Sequence, residues 1–170
     1  GDGAVLRLSA AADADVLRTA VLGVAGSVQV GEGSVLQAGR GSLLLDSTGV
    51  TQIGPRTTLQ ASDIGLASNV ITVGGPVAPT VLALTPALSA QVGSADELTL
   101  RAYTFINFKD GAHLGEDASG AVTLDRLVLD TPRLRAVEAT GTGARASAGE
   151  ITLQNTTGTD ADVATAGDGT

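Results

Sequence analysis

The sequence predicts an all-β fold, a parallel β-solenoid of short stacked strands with one inserted helix. Three observations predict it. First, Asp96–Phe108 reads DELTLRAYTFINF, in which Leu98, Leu100, Ala102, Thr104, Ile106 and Phe108 alternate with Thr99, Arg101, Tyr103, Phe105 and Asn107. Successive side chains of a strand point to opposite faces, so strict alternation is a strand signal, with one bend expected in so long a run. Second, a Gly or Asp, one residue, then apolar–x–Leu recurs at Gly41–Leu45, Asp96–Leu100, Gly120–Leu124 and Gly149–Leu153. Looser copies stand at Gly3–Leu8, Gly26–Val30 and Thr57–Ala61. A short strand opened by a turn residue and returning roughly every 20–30 residues marks a stacked solenoid. Third, 43% of the chain is hydrophobic but only 2% is aromatic. That balance fits a narrow interior of Ala, Val, Leu and Ile better than a pocket shaped by rings.

In chain order, Ala4–Leu8 is a strand, and the Ala-rich Ala10–Leu22 is open between helix and strand. Gly23–Gly75 is the most regular part. Its apolar–x–apolar steps (Val28/Val30, Leu43/Leu45, Leu59/Ala61, Ile64/Leu66, Ile71/Val73) are punctuated by GEG, AGRG, STG and GP. Each step is too short to be stable alone and needs stacked neighbours. Gly74–Gly93 interrupts the pattern, because Pro76, Pro79 and Pro86 cannot donate to a sheet ladder. Within it, Thr85–Pro86, ALSAQ and Gly93 follow the order N-cap, N1 proline, helix, C-terminal glycine, which predicts a helix of about two turns. The strand pattern resumes at Asp96–Phe108, Gly120–Asp130 (with a one-residue slip at Arg126) and Gly149–Gln154. Gly141–Gly149 reads as a flexible loop, and Asn155–Thr170 as disordered or an unfinished coil. Residues 1–154 are therefore expected to form one domain, with 155–170 as its tail.

Composition bounds the function. The net charge of −8 argues against nucleic acid or an anionic membrane surface as a partner. There is no cysteine for a disulfide framework, and no apolar run approaches the length of a membrane span. The opening Gly1 and the absence of methionine suggest a fragment or processed product.

His113 is the single histidine and stands in the turn-like DGAHLG, where a surface role outweighs catalysis. With one His and no Cys, no metal site is expected, and no cofactor either. Parallel β-solenoids do host sugar-cleaving enzymes, which need two carboxyls about 5–10 Å apart. Asp96, Glu97, Asp110, Glu116, Asp117, Asp125 and Asp130 could align, but nothing selects a pair, and acids at turns are ordinary capping groups. No catalytic residue is assigned. Gly1-Asp2-Gly3 and Gly167-Asp168-Gly169 lack the tandem period of calcium-binding rolls. The best binding candidates are Arg101, Tyr103, Phe105 and Lys109, which alternation puts on an outer face as an aromatic pair flanked by cations. The competing reading is that the helix near Pro86–Gln91 covers the aromatics as a satellite core.

Four segments in order carry a resemblance: ASDIGLASNVITVGG, LALTPAL, DELTLRAYTFINF with GAHLG, and LDRLVLDTPRL. Together they resemble the C-terminal-region domain of filamentous haemagglutinin-type exoproteins, which Gram-negative bacteria export by two-partner secretion. Ile64–Val73 is similar to the segment before that family's helical insertion, and Leu82–Val92 to the insertion itself, here shorter and richer in proline. Leu98–Gly111 and Leu127–Pro132 are similar to the two segments that follow. The similarity runs from about Gly23 to Asn155. It implies a right-handed parallel β-helix, a segment of a longer exoprotein, secreted or displayed on the cell surface. It also implies a non-catalytic structural or adhesive role. The implied partners are a glycan or protein on host or bacterial cells and, for the parent protein, the outer-membrane transporter. The alternative function is a polysaccharide-active β-helix enzyme of the lyase or glycosidase class.

Overall fold

The computed structural model describes residues 3–11, 25–137 and 141–158. Among them are twelve strands and one helix, and all but one of the named strand pairings are parallel. The open segment Ala10–Leu22 falls almost wholly outside the described residues.

The backbone of the fold is a sheet in the order β1 (Ala4–Ser9), β3 (Val35–Ser47), β5 (Thr58–Val73), β7 (Glu97–Lys109), β9 (Arg126–Asp130), β12 (Glu150–Gln154). Register turns this order into two continuous apolar columns. One runs Leu8, Leu43, Ile64, Leu98, Leu127, Ile151; the other runs Leu6, Leu45, Leu66, Leu100, Leu129, Leu153. Every member from β3 to β9 is buried in the core. The end members are not: Leu6 is 54% exposed, Leu8 46%, Ile151 46% and Leu153 64%. The recurring strand motif is thus a device for stacking Leu on Leu, each buried side chain contributing about 1.5–3 kcal/mol.

Shorter elements add to this sheet or pair apart from it. β2 (Ser27–Val30) pairs with β4 (Val50–Ile53), and β8 (His113–Leu114) with β11 (Arg145–Ala146), all parallel. β10 (Leu134–Val137) adds to the C-terminal half of β7. The chain turns between β3 and β4 through Ser47, Thr48 and Gly49, and the polar groups buried there are satisfied locally. Ser47 Oγ donates to the Gly26 carbonyl at 3.0 Å and Thr51 Oγ1 to the Ala67 carbonyl at 2.6 Å. Gly49 is required, because a β-carbon there would collide with the Gly26 carbonyl oxygen. No buried side-chain nitrogen or oxygen among the described residues lacks a partner.

The proline-bearing excursion is built into the stack. β6 (Leu82–Leu84) pairs with Ile71–Val73, the same residues that β7 pairs along their other edge. The helix α1 (Pro86–Val92) begins as expected, with Thr85 Oγ1 accepting the Leu88 N–H and Pro86 at the first turn. Gly93 closes it with φ −67°, so this glycine does not use the left-handed region. It stands there for space: a β-carbon would meet Gly115 N at 3.1 Å. Leu88 and Val92 pack into the core.

Four expectations are corrected. β1 runs antiparallel to β3. The Gly120–Leu124 copy is not a strand: Asp117 captures the Ser119 and Ala121 N–H groups, and this local bonding competes with sheet pairing. Val122 is exposed, and Leu124 enters the core from irregular chain. The loop Gly141–Gly149 carries β11, because Arg145 and Ala146 find partners in β8. The start of the tail is anchored: Thr156 N–H and Oγ1–H both donate to Asp130, at 2.7 and 2.5 Å. Among the leucines that close the recurring motif or stand two before its end, Leu45, Leu98, Leu100 and Leu124 are buried, and Leu153 is in register but exposed on the last strand.

Candidate functional site

Arg101, Tyr103, Phe105 and Lys109 do lie on the alternate row to the core-facing Leu98, Leu100, Ile106 and Phe108. They do not form an exposed platform. Arg101 and Tyr103 are buried, as are Leu44, Asp46, Val128 and Asp130 beside them on this second face. Arg101 Nε donates to Asp130 Oδ2 at 2.9 Å, and the Tyr103 hydroxyl donates to Asp46 Oδ1 at 2.8 Å. Asp46, Ala67, Arg101, Asp130 and Gln154 are successive register partners across the sheet, so Arg101 stands directly beside Asp130 and two strands from Asp46. Phe105 is half-buried beneath the Arg135 guanidinium, 3.8 Å from the ring centroid. The Lys109 stem lies along Gly75, whose β-carbon would meet its Cδ at 2.8 Å. The helix does not provide the cover, since α1 packs on β5, β6 and β8. Arg101 and Tyr103 are packing residues.

A cleft of about 660 Å³ opens on the flank where α1, β8 and β11 meet. Its walls include Pro86, Ala90, His113, Glu116, Ser119 and Arg145. β8 and β11 place His113 beside Arg145 in register, and both side chains converge on Glu116. Arg145 Nη2 lies 2.8 Å from Glu116 Oε2, His113 Nδ1 lies 3.6 Å from the same oxygen, and the Ser147 hydroxyl donates to Oε1. The Glu116 side chain is 7% exposed, while those of His113 and Arg145 stand on the rim. The Ser147 hydroxyl, and after it Arg145, hold Glu116 below its ordinary pKa of 4.5. Asp117 is held below its ordinary 3.8 by the Ser119 hydroxyl first, then by the Ala121 and Ser119 amides. Both acids are therefore carboxylates at neutral pH. They can orient a polar ligand and balance a cation, but neither holds a proton to give to a leaving group.

Glu116 and His113 were visible in the sequence as an acid and a lone histidine. Arg145 and Ser147 were not, because only the β8–β11 pairing brings that segment to Glu116. Among the described residues no group of three or more His, Cys, Asp or Glu is placed to hold a metal ion. No helix among them is long and apolar enough to cross a membrane. No family model, curated protein or solved structure matches the chain. What stands is the class: an all-β protein built on a mainly parallel sheet.

Proposed function

We propose that the chain is a non-catalytic stretch of right-handed parallel β-helix, a structural or adhesive part of a secreted, surface-displayed bacterial exoprotein of the filamentous haemagglutinin type. The observation that carries this reading is the pair of apolar columns running through six neighbouring strands of the sheet, with parallel register from β3 to β12. Such stacking turns each pass into a template for the next and makes extension, rather than a pocket, the natural product of the sequence. The motif order around Ile64–Val73, Leu98–Gly111 and Leu127–Pro132 supports the family, and with it the cell-surface location and a glycan or protein receptor. At the β8–β11 cleft Glu116 and Asp117 are both held as carboxylates, so this pair lacks the protonated partner that glycoside cleavage needs.

The test is binding of the purified, fluorescently labelled protein to epithelial and bacterial cells, alongside assays for polysaccharide depolymerisation. Saturable binding without sugar release supports the reading. Sugar release that Glu116→Gln abolishes replaces it with the enzymatic alternative at the β8–β11 cleft.

A further inference from the structure

The cleft where α1, β8 and β11 meet has two unlike sides. One is apolar, where Pro86 and Ala90 stand exposed on α1. The other is polar, with His113 and Arg145 both against the Glu116 carboxylate and Asp117 next to it in the chain. Every wall residue lies between Gly74 and Arg145, so the site is built without the terminal strands β1 and β12. The charges of the polar side are largely satisfied within it. Arg145 offsets Glu116, and Asp117 Oδ1 accepts the Ser119 N–H at 2.8 Å, the Ser119 hydroxyl at 2.6 Å and the Ala121 N–H at 3.0 Å. Two carboxylates against one guanidinium disfavour an anionic ligand. Among the described residues no Phe or Tyr lines the cleft, so a flat aromatic ligand finds no ring to stack on.

What the walls offer is hydrogen bonding of both kinds, close together. A guanidinium only donates and a carboxylate only accepts. His113 Nδ1 faces Glu116 Oε2 at 3.6 Å, and a neutral ring with its proton on that side presents Nε2 as an acceptor. Adjacent hydroxyls suit this mixture, because each can donate to the carboxylate or the imidazole and accept from the guanidinium. We propose that the cleft binds a neutral saccharide, its hydroxyls on Glu116, Arg145 and His113 and the C–H face of its ring against Pro86 and Ala90. The volume of about 660 Å³ lies within the ~300–1,000 Å³ of small-ligand sites. With no ring to stack on and a half-open site, binding is weak, on the order of millimolar. The inference rests on the adhesive part of the proposed function for the identity of the partner as a receptor, and on the cleft alone for the binding.

The test is titration of the ¹⁵N-labelled whole chain with lactose, maltose, cellobiose and diacetylchitobiose, followed by amide shifts, with digalacturonate as the acidic comparison. Two variants accompany it, each checked for folding by circular dichroism. Ala90→Trp, at an exposed position, fills the apolar side and leaves the Glu116 cluster intact. Arg145→Lys keeps the charge and loses the forked pair of donors. At least one neutral disaccharide is expected to shift the amides of Ala90 and of His113–Gly120 saturably. Ala90→Trp is expected to abolish those shifts, and Arg145→Lys to weaken binding about tenfold. Neutral disaccharides that leave these amides unmoved overturn the proposal, as does a folded Ala90→Trp that binds like the wild type. Tighter binding of digalacturonate than of every neutral sugar overturns it in favour of an acidic ligand. The same proteins applied to cells separate the two readings. Cell binding without any sugar shift overturns the cleft site and leaves the adhesive reading standing. Sugar shifts that Ala90→Trp abolishes, without cell binding, uphold the cleft site and remove the adhesive reading.

Discussion

The side-chain amide of Gln91 makes to the backbone around Leu59 the two hydrogen bonds that a neighbouring strand would make. Gln91 Oε1 accepts the Leu59 N–H at 2.6 Å, and Gln91 Nε2 donates to the Thr57 carbonyl at 2.9 Å. The first half of β5 is paired with β3 on one edge; on the other, the helix arrives where a strand would be. One amide side chain lets a helix substitute for a strand without leaving that edge unsatisfied.

Gln91→Leu keeps the size of the side chain and removes both bonds. The buried Leu59 N–H is then orphaned, and a loss of about 1–3 kcal/mol is expected. Urea unfolding measures the loss, and hydrogen exchange should quicken at the Leu59 amide. An unchanged midpoint with unchanged exchange would mean that water serves this edge equally well.

Arg101 and Asp130 form the buried ion pair of the second face, 2.9 Å apart. Removing only the cation, Arg101→Met, strands a buried carboxylate and should cost about 3–5 kcal/mol. The double variant Arg101→Met/Asp130→Asn should recover much of that, because Asn still accepts the Thr156 N–H and carries no charge. Loss of stability that the second substitution leaves undiminished would show that packing, not charge, is what Arg101 provides.

The ladder makes a contrast between two leucines of one column. Leu100 is fully buried and Leu153 is 64% exposed. Leu100→Asp places an unpaired charge among apolar neighbours and should cost about 4 kcal/mol or more. Leu153→Asp should change stability by about 0.5 kcal/mol or less. Equal costs at the two positions in thermal melts would contradict the assigned ends of the column.

Glu116 has its folded-state pKa depressed below 4.5. Its pairing with Ser147 and Arg145 is therefore a stabilising contribution present above pH 4.5 and lost as the pH falls through the lower folded value. Glu116→Gln should unfold with a shallower dependence on pH in that acid range than the wild type. Ser147→Ala, which removes the strongest influence on the group, should move its carboxyl titration back toward 4.5 in a ¹³C NMR experiment. A Glu116 titration that Ser147→Ala leaves in place would disprove that cause.

Local pattern was enough for most of the strands, the helix and the class of fold. Alternation in DELTLRAYTFINF put Leu98, Leu100 and Ile106 inside, and Thr85–Pro86 with Gly93 marked the helix within a residue. These signals are readable because a strand's two-residue period and a helix's capping chemistry are properties of a few adjacent residues. The same alternation put Arg101 and Tyr103 on the opposite row, which is correct, and left open whether that row meets water. It does not, because Asp46 and Asp130 on other strands of the sheet flank the two side chains and take their hydrogen bonds. The Glu116 cluster follows the same rule: His113 and Arg145 become neighbours only when β8 and β11 pair across 32 residues, and no local period encodes that meeting. Which side of a strand a residue occupies is decided by its immediate neighbours in the chain. What then lies against that side is decided by long-range register, and only the tertiary structure supplies it.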